Sequence, residues 1–270
     1  MNQFYLSEIN IYPIKSLGGI SLDEAKLQER GLQYDRQWML VDDNHMFITQ
    51  RKHFELALLQ VSVQDDELTV AHKNHPDQKI SFKEDDQTGH RMIVTIWDDK
   101  AAAYEVSSSV SKWFSSILDM SVKLVKMAPD EKRAVDPKFA SFDNTVGFAD
   151  DYPCLIIGQS SLDDLNQKLD QPVPMNRFRP NLVFTGGDPF AEDAFLDFYI
   201  GDIKFSAVKP CARCVLTTVN QQTGAKGQEP LRTLAKYRTV NKKVMFGQNL
   251  IHKGEGLIRL GQELNIVTRK

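Results

Sequence analysis

Apolar and polar residues alternate along much of the first hundred positions, and short polar turns interrupt the alternation. The segment RQWMLVDDNHMFITQR reads as strand, Asp-Asp-Asn turn, strand. ALLQVSVQDDELTVAH and RMIVTIWDDKAAAYEV repeat the plan, and three hairpin-like units in series predict a small barrel or sandwich. SSSVSKWFSSIL then brings Val110, Trp113, Phe114 and Leu118 near helical spacing, behind serines able to cap a helix.

The pattern changes in KMAPDEKRAVDPKFASFDNTVG, which has no sustained period, two prolines and many charges. It is expected to be a connecting segment, mobile or draped over the surface, with DEKRAVDPK a charged linker. Beyond it, PCLIIG reads as a short buried strand and QSSLDDLNQKLDQP as a helix. Ser160 or Ser161 is expected to cap that helix, with Asp163 and Asp164 near its positive end and Leu162, Leu165 and Leu169 on one face. NLVFTGG, FYIGDIKFSAV and CVLTTVN read as strands. EPLRTLAKYR reads as a second helix with Leu231, Leu234 and Tyr237 on one face, and the end returns to strands broken by glycines. The expected fold is mainly β with a few helices, divided into residues 1–125, a connection over 126–147, and 148–270.

Composition narrows function by exclusion. A formal charge of −3 provides no overall positive field for nucleic acid or anionic membrane. No apolar run approaches the roughly 18 residues of a membrane span, and the start, MNQFYLSEINIYPIKS, reads as a strand rather than a signal peptide. Three cysteines cannot build a disulfide framework, so a reducing cytoplasm is the expected location.

Two of those cysteines stand close together in KPCARCVLTTV. A structural zinc site needs a second Cys pair or nearby histidines; the only short His pair, His72 and His75, is far off in a polar turn. A redox dithiol calls for a helix N-terminus, whereas the β-branched run after Cys214 favours a strand. In an extended segment Cys211 and Cys214 point to opposite faces, so one thiol can face a site while the other packs. Two buried small hydrophobes, or one soft metal ligand beside Arg213, both remain open on these residues.

Cations recur at strand ends and turns: Lys15 with Ser16 in PIKS, Arg36 in YDRQW, Arg51 in ITQR, and Arg177, Arg179 and Asn181 in NRFRPN. Guanidinium forks beside hydroxyls suit a phosphate or another oxyanion. There is no Walker loop, no G-x-G-x-x-G and no nucleophile elbow.

The ordered series IYPIKSLGGISLDEAKLQERGL, YDRQWMLVDDN, FITQRKHFELALLQ, SSLDDLNQKL, NRFRPNLVF, KPCARCVLTTVNQQTG, EPLRTLAKYR and FGQN resembles the MOSC superfamily, in particular its two-part amidoxime-reducing members. The resemblance implies an N-terminal β-barrel-like domain followed by a MOSC β-barrel domain. It also implies a molybdenum cofactor, a pterin with a dithiolene and a terminal phosphate. Cys214 matches the position of the thiolate ligand to the metal, and Cys211 is left to packing or to a minor supporting role beside the site. Lys15, Ser16, Arg36, Arg179, Asn181 and Arg213 match positions expected to line the cofactor, with Arg51, Asp151, Tyr152 and Asn249 as further carry-overs. At 151–152 the chain reads Asp-Tyr before proline where the family often has small hydroxyl residues. The implied activity is reduction of small N-hydroxylated compounds, such as amidoximes, with electrons from a separate flavin or iron–sulfur reductase. A carrier of sulfur, as a persulfide on Cys214, or of the cofactor itself is the alternative. At superfamily level the resemblance extends to pyridoxal phosphate binding.

Overall fold

A computed structural model describes residues 3–139 and 144–270. The fold is mostly β, with three α-helices among the described residues, and its largest sheet mixes the two ends of the chain. Its strand order is Leu264–Arg269, Phe195–Ile200, Ile203–Arg213, Lys243–Lys253, Cys154–Gly158, Leu182–Thr185, Tyr5–Ile11 and Ile20–Leu22, with Thr239–Val240 added against Lys243–Lys253. Cys154–Gly158 and Leu182–Thr185 run parallel, and the other pairs in this sheet are antiparallel. A four-stranded sheet follows the order Trp38–Val41, Lys123–Met127, Asp99–Glu105 and Arg91–Ile96, and there are two three-stranded sheets. None of the four closes on itself among the described residues.

Two of the three hairpins expected from alternation form, each with a two-residue turn: Leu59–Gln64 pairs with Glu67–His72, and Arg91–Ile96 pairs with Asp99–Glu105. The first does not: Trp38–Val41 pairs with Lys123–Met127, and the residues after the Asp-Asp-Asn turn make only isolated bridges, Val41 with Phe47 and Met46 with Thr95. Alternate side chains point inward, so Leu59, Val61, Leu68 and Val70 are buried on one face and join the core around the helix Ser108–Leu118. Ser107 caps this helix by accepting from the Val110 amide. A second core draws on both ends of the chain, packing Phe4, Leu6 and Ile9 with Phe195, Phe198 and Phe205.

Four local expectations are corrected. The helix over Gln159–Asn166 starts at Gly158, without a side-chain cap. Ser161 instead donates to Glu192 and accepts from the Phe190 amide, Ser160 donates to the Gly187 carbonyl, and Asp163 and Asp164 fall beyond the first turn. The residues after Cys214 form a 3-10 turn, Val215–Thr218, not a strand. Thr217 and Thr218 donate their hydroxyls to the Cys214 and Val215 carbonyls, and these local bonds override β-branched propensity. The helix Leu231–Ala235 ends before Tyr237, which is 38% exposed while Leu234 is buried. Finally, the connecting segment is partly internal: Arg133, Val135, Thr145 and Val146 are buried, while residues 140–143 lie outside the described set.

The central strand approaches its neighbour very closely. Gly247 takes φ 84°, and a Cβ there would sit 2.7 Å from Ile157 Cγ1 and 2.9 Å from the Ile156 carbonyl oxygen. Only glycine allows that approach, and it sets the path of the strand carrying Asn249.

Candidate functional site

One face of the large sheet, together with the ends of the N-terminal strands, encloses a cavity of about 640 Å³. Lys15, Ser16, Arg36, Arg51, Asp151, Tyr152, Arg179, Asn181, Arg213, Cys214 and Asn249 all line it, although they come from segments spread over more than 230 positions. Eight cationic side chains meet there, since Arg133, Lys209 and Lys243 join Lys15, Arg36, Arg51, Arg179 and Arg213. They face four carboxylates: Asp98, Asp99, Asp150 and Asp151. In a chain of net negative charge this is a local cationic field, suited to a polyanionic ligand.

The innermost cations are held by stacking. Tyr12 lies between two guanidiniums, with the Arg36 carbon 4.3 Å and the Arg179 carbon 4.1 Å from its ring centre. Arg36 donates to Asp35 at 2.5 Å, to Asn181 Oδ1 at 3.2 Å and to the Arg179 carbonyl at 3.3 Å. Arg179 donates to the Leu17 carbonyl at 2.6 Å. Burial works against both charges. It lowers the Arg179 pKa to about 10, whereas the Asp35 carboxylate overcomes it at Arg36, whose pKa is raised. Burial also pushes the Tyr12 phenol up to about 12. Asn181 is fixed by donating to the Asn10 carbonyl and accepting from the Leu155 amide.

Three lining residues adopt left-handed backbone: Ser16 at φ 73°, Arg36 at 48° and Arg179 at 53°. Such conformations cost about 1 kcal/mol or more for non-glycine residues and gather where function holds them in place.

A second group lies in the loop after the connecting segment. Asp150 accepts from Lys15 Nζ at 2.5 Å, Arg51 at 3.1 Å and the Trp97 indole at 3.0 Å. Arg51 also stacks on Trp97, its guanidinium carbon 4.1 Å from the ring centre. Lys15 donates to the Phe148 carbonyl. Arg133 donates to the carbonyls of Gly147, Ala149 and Asp150 and to the Asp99 carboxylate. Arg133 was read from sequence as linker charge, and Asp150 and Trp97 were not singled out. The signals available were an arginine close ahead of the Asp-Tyr-Pro turn and a tryptophan at a hairpin apex.

At the thiol end, the strand Ile203–Arg213 slips register between Pro210 and Ala212. The slip and the turn at Cys214 cancel strict alternation, so Cys211 and Cys214 both line the cavity. The expectation of opposite faces is corrected accordingly. Arg213 donates to Cys211 Sγ at 2.9 Å and to the Phe178 carbonyl at 2.6 Å. Burial raises the Cys211 pKa against the pull of Arg213, and among the described residues Cys214 Sγ has no hydrogen-bond partner. Tyr152 is turned into a cluster with Val135 and Val146.

These donors fit a metal that brings its own ligands. Among the described residues no three His, Cys, Asp or Glu side chains converge on one point. What the chain offers is a soft sulfur, a cationic cradle, and buried Arg213 Nε and Tyr152 Oη atoms left without partners among the described residues. A metal carried on an anionic organic group matches that donor set.

Known proteins point the same way. Residues 3–121 match the MOSC N-terminal beta barrel domain and residues 143–265 the MOSC domain. The chain is 31% identical to mitochondrial amidoxime-reducing component 1 of Mus musculus, over 97% of this chain and 82% of the relative. It is 31% identical to mitochondrial amidoxime reducing component 2 of Bos taurus, over 86% and 72%. It is also 29% identical to molybdenum cofactor sulfurase of Arabidopsis thaliana, over 97% of this chain but 35% of that protein. Both domains are matched in order over most of the length, and the chain belongs to the MOSC family, whose relatives here are associated with the molybdenum cofactor.

Proposed function

We propose that the cavity holds a molybdenum cofactor and that the protein reduces N-hydroxylated compounds, such as amidoximes and N-hydroxylated bases, to their N–H forms. The observation that carries this reading is the meeting of Cys214 with eight cations in one cavity large enough for a cofactor and a small substrate. The bound group supplies two-electron chemistry able to accept oxygen from an N–OH bond. Cys214 supplies the protein's thiolate. Lys15, Ser16, Arg36 and Arg179 hold the phosphate end, where charge-assisted hydrogen bonds are strongest. Arg213 and Asn249 border the same space, and Tyr12 keeps the two deepest guanidiniums in place. Electrons come from a separate flavin or iron–sulfur donor.

The test is molybdenum per chain, measured beside zinc, in protein from a host that makes the cofactor. Near-stoichiometric molybdenum in wild type, clearly reduced in Cys214→Ser, supports the reading, and amidoxime reduction with an artificial reductant completes it. Zinc in place of molybdenum overturns it. A second reading, persulfide carriage, is favoured by the presence of two thiols in the same cavity. Cyanolysable sulfur on Cys214 in protein that stays metal-free in a cofactor-producing host would select it.

A further inference from the structure

The cations of the cavity differ in what already holds them. Asp35 accepts from Arg36, Asp99 from Arg133, and Asp150 from Lys15 and Arg51. Arg179 and Arg213 donate to main-chain carbonyls, and Lys209 lies over the Phe139 and Tyr152 rings. Lys243 is exposed, and among the described residues it alone of the eight has no hydrogen bond, ion pair or ring contact.

Backbone pairing fixes where Lys243 stands. On one side it pairs with Val240 across a hairpin turn. On the other, Ala212 pairs with Met245 and Arg213 with Val244. Cys214 keeps an extended backbone, so the same register carried one residue further sets it opposite Lys243. Opposite residues of an antiparallel pair share a face, with Cβ atoms about 4.5–5.5 Å apart. Lys243 and Met245 line the cavity and Val244 between them does not, as strand alternation requires. Leu216 lines it as well, and it and Met245 are half-buried. The thiol end of the cavity therefore combines apolar wall with one unpartnered ammonium. Asp98 and Asp151, the cavity carboxylates without a partner, adjoin Trp97 and Asp150, whose side chains bond to each other. They belong to that hairpin apex and not to the strand pair that carries Lys243.

With the cofactor phosphate held by Lys15, Ser16, Arg36 and Arg179, a reacting N–OH group comes to the Cys214 end and meets Lys243 there. A single ammonium balances a monoanion such as a carboxylate. A dianionic phosphate is better served by the paired guanidiniums around Tyr12. We propose that Lys243 is a specificity residue that pairs with a carboxylate on the substrate, so that the protein acts on N-hydroxylated compounds bearing an acidic group on an apolar body. The proposal rests on the reading of the cavity as the site of N–OH reduction.

The experiment drives cofactor-loaded protein with reduced methyl viologen, at about 20 mM and about 200 mM salt. The substrates are benzamidoxime and its 3-carboxy and 4-carboxy derivatives, and the readout is the ratio of kcat/KM for carboxylated over plain substrate. In wild type the ratio is expected to exceed one for at least one isomer and to shrink at high salt. It is expected to fall at least about three-fold in Lys243→Met and further in Lys243→Glu. Lys242→Met removes the same charge one residue away, outside the cavity lining, and is expected to leave the ratio unchanged. A wild type without preference, a ratio that Lys243→Met leaves alone, or an equal fall in Lys242→Met would overturn the anchor. So would a loss of molybdenum in Lys243→Met as large as that in Cys214→Ser, which would put the lysine on the cofactor. If wild type reduces none of the three compounds, the reductase reading falls, and their Kd ratios from isothermal titration still decide the role of Lys243. Tighter binding of a carboxylated compound, lost in Lys243→Met, supports the anchor; no binding, or a ratio the variant leaves unchanged, overturns it.

Discussion

Lys15 Nζ and Asp150 Oδ1 lie 2.5 Å apart across 135 positions of sequence, and this pair ties the first turn of the chain to the loop that follows the connecting segment. Lys15 is buried, and burial lowers its pKa; Asp150 is half exposed. Burial alone would raise the Asp150 pKa, but Lys15, the Trp97 indole and Arg51 outweigh it and hold the carboxyl below the usual carboxylate range. Both sides of the cavity therefore depend on Asp150 remaining ionised.

Asp150→Asn is expected to lower stability at pH 7 by about 1–3 kcal/mol, because a buried ammonium loses its counter-charge while solvent screens part of the loss. A carboxyl with a depressed folded pKa stabilises the fold above its unfolded pKa, and that contribution is lost as pH falls through the folded value. Urea unfolding should show a constant gap between wild type and variant from pH 7 to about 5, narrowing below about pH 4. A gap independent of pH would show that the carboxylate charge is not what matters.

Arg133 donates to three successive-region carbonyls, those of Gly147, Ala149 and Asp150, as well as to Asp99. A lysine keeps the charge but not the planar fork, so Arg133→Lys leaves some of these acceptors unserved. The expected loss is about 1–3 kcal/mol. Hydrogen exchange should quicken at the Phe148 amide, which bonds to the Arg36 carbonyl, while the distant Leu59–Gln64/Glu67–His72 hairpin stays protected.

Tyr12 makes two kinds of contact that can be separated. Its ring lies between Arg36 and Arg179, and its hydroxyl donates to the Pro180 carbonyl at 3.2 Å. Tyr12→Phe removes only the hydrogen bond and is expected to cost about 1 kcal/mol with cofactor content unchanged. Tyr12→Leu also removes both stacks, each worth about 0.5–2 kcal/mol, and should reduce molybdenum per chain. Equal metal content in the two variants would refute a positioning role for the ring.

Legibility in the sequence follows the range of the forces involved. Hairpins such as Leu59–Gln64 with Glu67–His72 were readable because alternation and turn residues are local. Five of the eight cavity cations, Lys15, Arg36, Arg51, Arg179 and Arg213, and Cys214 were readable through their motifs, whereas Lys209 and Lys243 were not singled out and Arg177 turns away to the Thr217 and Glu229 carbonyls. Arg133 was not, because what buries it is a set of carbonyls 14 to 17 residues further on, which no periodicity announces. The 3-10 turn after Cys214 escaped because two threonine hydroxyls bond to the backbone behind them, a local competition hidden in a run that otherwise favours strand. Parity failed at Cys211 because a single register slip reverses it.

That failure makes the two thiols separable by experiment. Cys211 Sγ is already engaged by Arg213 at 2.9 Å, while Cys214 Sγ has no such partner among the described residues and is free to ligate. Cys211→Ala is accordingly expected to keep most of the molybdenum and to cost about 1–2 kcal/mol in stability, for a hydrogen bond and a small cavity. Cys214→Ser should lose most of the metal with little change in stability of the cofactor-free protein. Arg213→Ala removes the cation that opposes the burial-driven rise of the Cys211 pKa, so Cys211 should ionise at higher pH and alkylate more slowly near neutrality. Elemental analysis of the two cysteine variants, with site-resolved alkylation of the arginine variant by mass spectrometry, checks all three. Loss of metal in Cys211→Ala with retention in Cys214→Ser would exchange the roles assigned to the two sulfurs.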